Sequence, residues 1–440
     1  MLTRICLSLA LLVAMPLWSQ VEPSATGPPP SSDDAMRTPP SVSGEAYPTE
    51  TGSEARSNYL RAGLSANTAY DDSVLASASG QPVGDVTYSI SPTFTLDQST
   101  ARTHRSVEYS PGFTFYSNTS GLNAMNQNAD ASFQYRLSPH SRISLHDVFS
   151  QTSNAFEQSY GGVSGSTQPP TAVVAAPYAE TLRNAGGGEF SYQFSRSGMI
   201  GGSGTFTLLN YPNPAQASGL PTTSNSRGGA VFFNRRLSSK QYLGLTYQYS
   251  NMSASLANSP SETQMHTINA LYTLYLGGSL SLSLSGGPQH FNEVMSPFPA
   301  SAAWTPAIAG SLGWQKSRTN VAGSYSRTVS GAGGLDGAFH LQSVNADASW
   351  RFARAWTAAM AANYSTQKTV VPAFLSPSPG GSTVSATVSV QHPINEHFSA
   401  GFGYSRIHQS YGGIAVISAN PNSDREYVSI SYQFAKPLGK

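Results

Sequence analysis

The residues that could do chemistry in this chain are few and poorly spaced for it. A nucleophile elbow needs Gly-x-Ser-x-Gly, and Gly162-Val163-Ser164-Gly165 and Gly201-Gly202-Ser203-Gly204 both miss that spacing. Among nine His residues the nearest pair, His392 and His397, straddles a turn rather than standing at a ligand spacing. The run Gly331–Asp336 has the flavour of one calcium-binding β-roll turn, but a single imperfect copy reads as a loop. Cys6 is the only cysteine and lies too near the N-terminus to serve a folded domain. No catalytic, cofactor-binding or metal-ligating residue is therefore assigned. What remains is a sparse set of ions in otherwise polar runs: Glu108, Asp130, Arg136, Glu189, Arg236, Asp347 and Arg351. Their meaning depends on the elements that carry them.

Those elements are constrained by composition. Charged residues make up only 11% of the 440, well below the quarter or so usual for a soluble domain. Yet hydrophobic residues reach only 39% and the mean hydropathy is −0.24, which excludes a bundle of membrane helices. A formal net charge of +1 offers nothing to nucleic acid. Few ions with many Gly, Ser and Tyr suit strands that have one apolar and one small-polar face.

Residues 1–19 read as a cleaved secretory signal: Arg4, an apolar run from Ile5 to Met15, then Pro16 and a small residue, Ser19, at the cut. The run is too short to span a bilayer as a helix. Residues 20–57 are rich in Pro and Ser with almost no large apolar side chains, the composition of a disordered tail that would lie in the periplasm.

From residue 58 the sequence alternates. Val428, Ile430, Tyr432 and Phe434 share one face and Tyr427, Ser429, Ser431 and Gln433 the other; Leu280, Leu282 and Leu284 alternate with serines in the same way. Period two places these sets on opposite faces of a strand. Tight turns such as Ser138–Ser141 and Lys316–Thr319 alternate with long Gly/Pro/Ser/Asn-rich stretches such as Lys368–Gly380. The expectation is an all-β fold: a transmembrane antiparallel up-and-down barrel over 58–434 of about eighteen strands, sixteen on the lower count. Residues 435–440 then form a short C-terminal tail. Both chain ends fall on the short-turn side. Asp147 is out of pattern, sharing parity with Ile143, Leu145 and Phe149, and implies either a lipid-facing carboxylate or a register break.

Half of the basic residues sit in or beside the short turns, and aromatic residues gather at the same level, among them Tyr135, Trp314, Trp350, Trp356, Tyr432 and Phe434. Aromatic rings mark a membrane interface. Strand ends such as Phe133-Gln134-Tyr135, Tyr192-Gln193-Phe194 and Tyr432-Gln433-Phe434 resemble those of bacterial outer-membrane β-barrels of the porin-like class. The resemblance implies a Gram-negative outer membrane, contact with its lipid, and insertion by the barrel-assembly machinery. It departs at the C-terminus, where Ala435–Lys440 follow the aromatic residue that ends the last strand in such barrels.

Eighteen strands leave an aqueous lumen, so the expected function is passive, weakly selective diffusion of small polar solutes, with the seven ions named above lining the pore. The resemblance also implies that the third long loop, about 152–180 with Glu157, Tyr160 and Tyr178, folds inward as a constriction. The competing readings are a barrel component of an export or polysaccharide secretion assembly, and a structural or adhesive surface protein with a blocked lumen. Outward small residues Gly202, Gly204, Ala358 and Ala362 leave a homo-oligomer open without requiring one.

Overall fold

The computed structural model describes residues 58–74, 83–152, 180–212, 223–256, 259–276, 279–295, 299–331, 338–353, 355–370, 380–412 and 422–438. Residues 1–57, expected to hold the signal and the Pro-rich tail, and the loop residues Glu157, Tyr160 and Tyr178 lie outside them.

Eighteen strands follow in chain order. The first six are β1 (Tyr59–Asp71), β2 (Asp85–Ser99), β3 (Thr103–Tyr116), β4 (Ala124–Ser138), β5 (Ser141–Thr152) and β6 (Thr181–Ser195). Then come β7 (Gly198–Asn210), β8 (Thr223–Ser238), β9 (Gln241–Leu256), β10 (Ser259–Leu276), β11 (Leu280–Met295) and β12 (Ser301–Lys316). The last are β13 (Thr319–Gly331), β14 (Ala338–Trp350), β15 (Thr357–Thr369), β16 (Gly380–Pro393), β17 (Phe398–Gly412) and β18 (Asn422–Pro437). Each pairs antiparallel with its neighbours in sequence, and β18 pairs with β1, so the sheet closes. Closure leaves no free edge, the condition for a sheet to cross a bilayer.

The distribution of burial is inverted relative to a soluble protein. On β18 the outward Val428 and Ile430 expose 60% and 53% of their surface, whereas the inward Ser405 and Gln409 on β17 expose 2% and 1%. Large apolar side chains standing in contact with the surroundings over a whole barrel require lipid as that surrounding.

Two boundaries differ from the alternation pattern. β18 runs on to Pro437, because Tyr59, Leu60 and Arg61 at the start of β1 pair with Pro437, Lys436 and Ala435. At this corner Asn58 takes a positive φ of 79°, a conformation Asn tolerates. Its side-chain oxygen accepts from the Ser99 N–H at 2.9 Å, and its carbonyl accepts from the Leu438 N–H at 2.7 Å. The second difference is the β14–β15 connection. Phe352 and Trp356 lie in it rather than in the strands; they extend a row of rings from Trp350 (5.4 Å to Phe352) to His392 (4.4 Å from Trp356).

Asp147 faces outward without any register break, since β4 and β5 pair continuously from Gln127↔Gln151 to Arg136↔Arg142. It accepts a 2.9 Å hydrogen bond from Asn184 Nδ2 on β6. The ring of Phe206 lies over Gly186 beside it; a Cβ there would meet the ring at 2.7 Å and Asp147 Oδ1 at 2.9 Å, so glycine is what allows the ring to cover this polar pair. A carboxylate on the lipid face still costs stability. The double change Asp147→Leu, Asn184→Leu is expected to raise the unfolding free energy by about 1–2 kcal/mol in urea titrations from lipid vesicles. No gain would mean that the pair stands above the bilayer.

Candidate functional site

The barrel interior is the candidate site, and strand parity decides what it contains. Across each ladder directly paired residues share a face, so the outward Val428 and its partners fix the inward set on every strand. Ser, Thr, Asn, Gln, Gly and Ala dominate it, as the alternation predicts. On β12, β13, β15, β16 and β17 the inward face holds no Asp, Glu, Lys or Arg.

Inward charges stand mainly on one arc, β3 to β6, and around the closing seam at β18, β1 and β2. Glu108 on β3 pairs directly with Asp130 on β4, Ser132 beside Asp130 pairs with His146 on β5, and Ser144 next to His146 on that face pairs with Glu189 on β6. Arg142, on the inward face of β5, pairs with Arg136 at the short-turn end. Glu108, Asp130, Arg136, Arg142 and His146 are all exposed, so this arc is the part of the inner wall that meets water. By contrast Asn269 on β10, Ser365 and Gln367 on β15 and Gln409 on β17 each expose only 1%. Like charges stand side by side on the arc, Glu108 with Asp130 in mid-wall and Arg136 with Arg142 at the short-turn end, so it holds both signs in separate zones.

The individual predicted positions are distributed as follows. Glu108, Asp130, Glu189 and Asp347 stand mid-strand on the inward face. Arg136 and Arg236 are inward at the short-turn rim, where Arg136 Nη2 donates to the Ala101 carbonyl at 2.8 Å. Arg351 lies past the end of β14, its N–H donating to the Arg318 carbonyl at 2.8 Å, so it belongs to the rim and not to the strand wall. Arg142 and His146 also stand on the inward face, a placement legible in the sequence from the parity they share with Ser144 and Ser150.

Tyr135, Trp314, Trp350, Tyr432 and Phe434 all project outward at the short-turn end, with Trp356 beside them in its connection. Their contacts include the Phe398–Tyr432 ring pair at 5.0 Å. Further outward rings, not anticipated, stand toward the loop side at Tyr70, Tyr88 and Trp304 and in mid-strand at Tyr247, Tyr364 and Tyr404. Trp304 packs on His290 at 4.9 Å, and Tyr247 Oη meets His266 Nδ1 at 2.9 Å. An aromatic girdle beside an apolar band, short turns at one end, and a polar interior define a porin-like outer-membrane β-barrel.

The chain is similar to solved structures of that architecture. They include OpdK of Pseudomonas aeruginosa with vanillate, at 10% identity and TM-score 0.41, covering 86% of this chain and 99% of that one. OpdF of the same organism, in complex with glucuronate, gives 10% and 0.41 over 86% and 98%. The FrpB iron transporter of Neisseria meningitidis gives 10% and 0.43 over 86% and 82%. No protein-family model and no curated protein sequence matches the chain.

Proposed function

We propose that this barrel is a channel of the bacterial outer membrane, reached through a cleaved N-terminal signal, for passive and weakly selective diffusion of small polar solutes. The observation that carries the reading is the water-exposed inner arc of β3–β6, where Glu108, Asp130, Arg136, Arg142 and His146 mix both signs. A barrel of this strand number has room for a water column, and neutral polar walls with sparse mixed charges bind no one ion strongly enough to hold it. Further inward ions, among them Glu189, Arg236 and Asp347, add both signs to that mixture.

The test is single-channel recording of the refolded mature protein in a planar bilayer. Stable ohmic steps are expected, with a cation-to-anion permeability ratio within about threefold of unity. A variant lacking Asn154–Tyr178 is expected to conduct more, if the third loop narrows the pore. Silence from both proteins, with folding confirmed by heat-dependent gel mobility, would sink the channel reading in favour of a blocked surface protein.

A further inference from the structure

The polar inner wall carries an apolar patch on β9–β11, and part of the chain is folded onto it. Met252 on β9, Met265 on β10 and Phe291 on β11 all point inward, and Met265 pairs directly with Phe291. Opposite them lie Val329 and Ala338, which expose 1% and 0% and pack into the same cluster. These two residues belong to the far end of the β13–β14 hairpin, two strands away around the barrel.

The ladder shows how they get there. β13 pairs with β12 only from Lys316↔Thr319 to Ile308↔Arg327, whereas its pairing with β14 continues to Gly331↔Ala338. Beyond Arg327 the hairpin therefore leaves the wall and crosses the inner face of β12. The residues under it, Thr305 and Ala307, are small enough to leave space and expose 9% and 3%.

Side chains of β11 replace the lost backbone partners. Gln289 Oε1 accepts from the Val329 N–H at 2.7 Å and Gln289 Nε2 donates to the Val329 carbonyl at 3.1 Å, so one amide side chain satisfies both backbone groups as a neighbouring strand would. Glu293 Oε1 accepts from the Ala338 N–H at 2.9 Å. Orphaned backbone groups inside a barrel would be costly, and the amide and carboxylate remove that cost only in the inward-folded position.

We infer that the end of the β13–β14 hairpin, residues 328–331 and 338–339, is a fixed ledge inside the lumen that sets the size limit of the channel, held by Gln289 and the Met265–Phe291 patch. This rests on the channel reading. It places a size-limiting element on the far side of the barrel from the charged arc, so that solute passes between a neutral ledge and a charged wall.

Two readouts test it. Single-channel conductance is expected to rise about twofold in Gln289→Ala and in Phe291→Ala, because a constriction in series sets most of the resistance of a pore. Thr387→Ala on the inner face of β16 is expected to conduct like the parent. Independently, Val329→Cys in a Cys6→Ser background places a single thiol on the ledge. Water-soluble maleimide should label it slowly in the folded barrel and at least tenfold faster once Gln289→Ala is added. Fast labelling in the parent background, or unchanged conductance in both release variants, overturns the ledge. Silence of every variant with the thiol still protected instead removes the channel reading, and with it the size limit, while leaving the inward packing of the hairpin in place.

Discussion

Replacing Arg425 with alanine is expected to cost about 1–3 kcal/mol of barrel stability, the penalty for leaving buried polar neighbours without their partner. Arg425 on β18 and Asp71 on β1 face each other across the closing ladder, both inward, and expose 8% and 5%. The carboxylate also accepts from Ser423 Oγ at 2.8 Å and from the Ser73 N–H at 3.0 Å, while Arg425 Nη2 reaches Thr87 Oγ1 on β2 at 3.4 Å. Three strands around the seam thus meet at two opposite charges that are ladder partners and are each hydrogen-bonded to a neighbouring strand. Taking both ions out of water is expensive, so the pair as a whole need add little net stability. Removing one member is different, because the other is left with its desolvation penalty uncompensated. Arg425→Ala should therefore unfold in urea at lower concentration than the parent, whereas the double change Asp71→Val, Arg425→Met should return close to it. A single variant within about 1 kcal/mol of the parent would show that water reaches this part of the seam and screens the charge.

That pair also shows where a sequence reading stops. The alternation of apolar and polar residues carried the barrel and a count of about eighteen strands, because lipid outside and water inside impose period two on the wall. It was sufficient for the inward ions that stand in clean alternating runs, such as Glu108, Asp130 and Glu189. Asp71 and Arg425 become partners only when β18 closes on β1, with Ser423 and Asp71 352 positions apart in the chain. No single strand's pattern carries that information. The ledge was legible in principle. Met252, Met265 and Phe291 break the polar phase of three consecutive strands, and an apolar side chain facing a polar lumen must be covered by something. What covers it depends on β13 leaving β12 after Arg327, a choice made by packing rather than by local pattern. The connection after Trp350 shows the same limit, since Phe352 and Trp356 serve the interface girdle from outside the ladder, a boundary that alternation does not mark.

Asp85→Asn should be nearly as damaging to the loop-side rim as Asp85→Ala, although it changes the shape of the side chain hardly at all. Asp85 opens β2 and exposes 1%. Its carboxylate collects the Val86 N–H at 2.7 Å, the Asn118 N–H at 3.1 and 3.0 Å to the two oxygens, and Asn118 Nδ2 at 3.0 Å. Oδ2 further accepts from the Thr119 N–H at 2.8 Å and Thr119 Oγ1 at 2.7 Å. An ionised carboxylate is acceptor-only and suits every one of these donors, whereas the amide of Asn turns one oxygen into a second donor. The Thr119 hydroxyl can rotate away from that conflict, but a backbone N–H cannot. Each charge-assisted bond contributes roughly 1.5–3 kcal/mol, and a buried donor left without an acceptor costs about 1–3 kcal/mol more. The β3–β4 connection at Ser117–Asn123 is therefore expected to open while the barrel stays folded, seen as faster amide exchange at Asn118 and Thr119 and as protease cleavage there. Because β3 and β4 carry Glu108 and Asp130 on the exposed arc, freeing the connection between them should also raise open-channel current noise without shifting the mean conductance. Thr119→Val, which removes one donor and leaves the carboxylate intact, should cost only about 1 kcal/mol and leave the noise unchanged. If Asp85→Asn keeps parental exchange protection, the connection is held by its own backbone bonds, such as Leu122 N–H to the Thr119 carbonyl at 2.9 Å, and the carboxylate is dispensable to the rim.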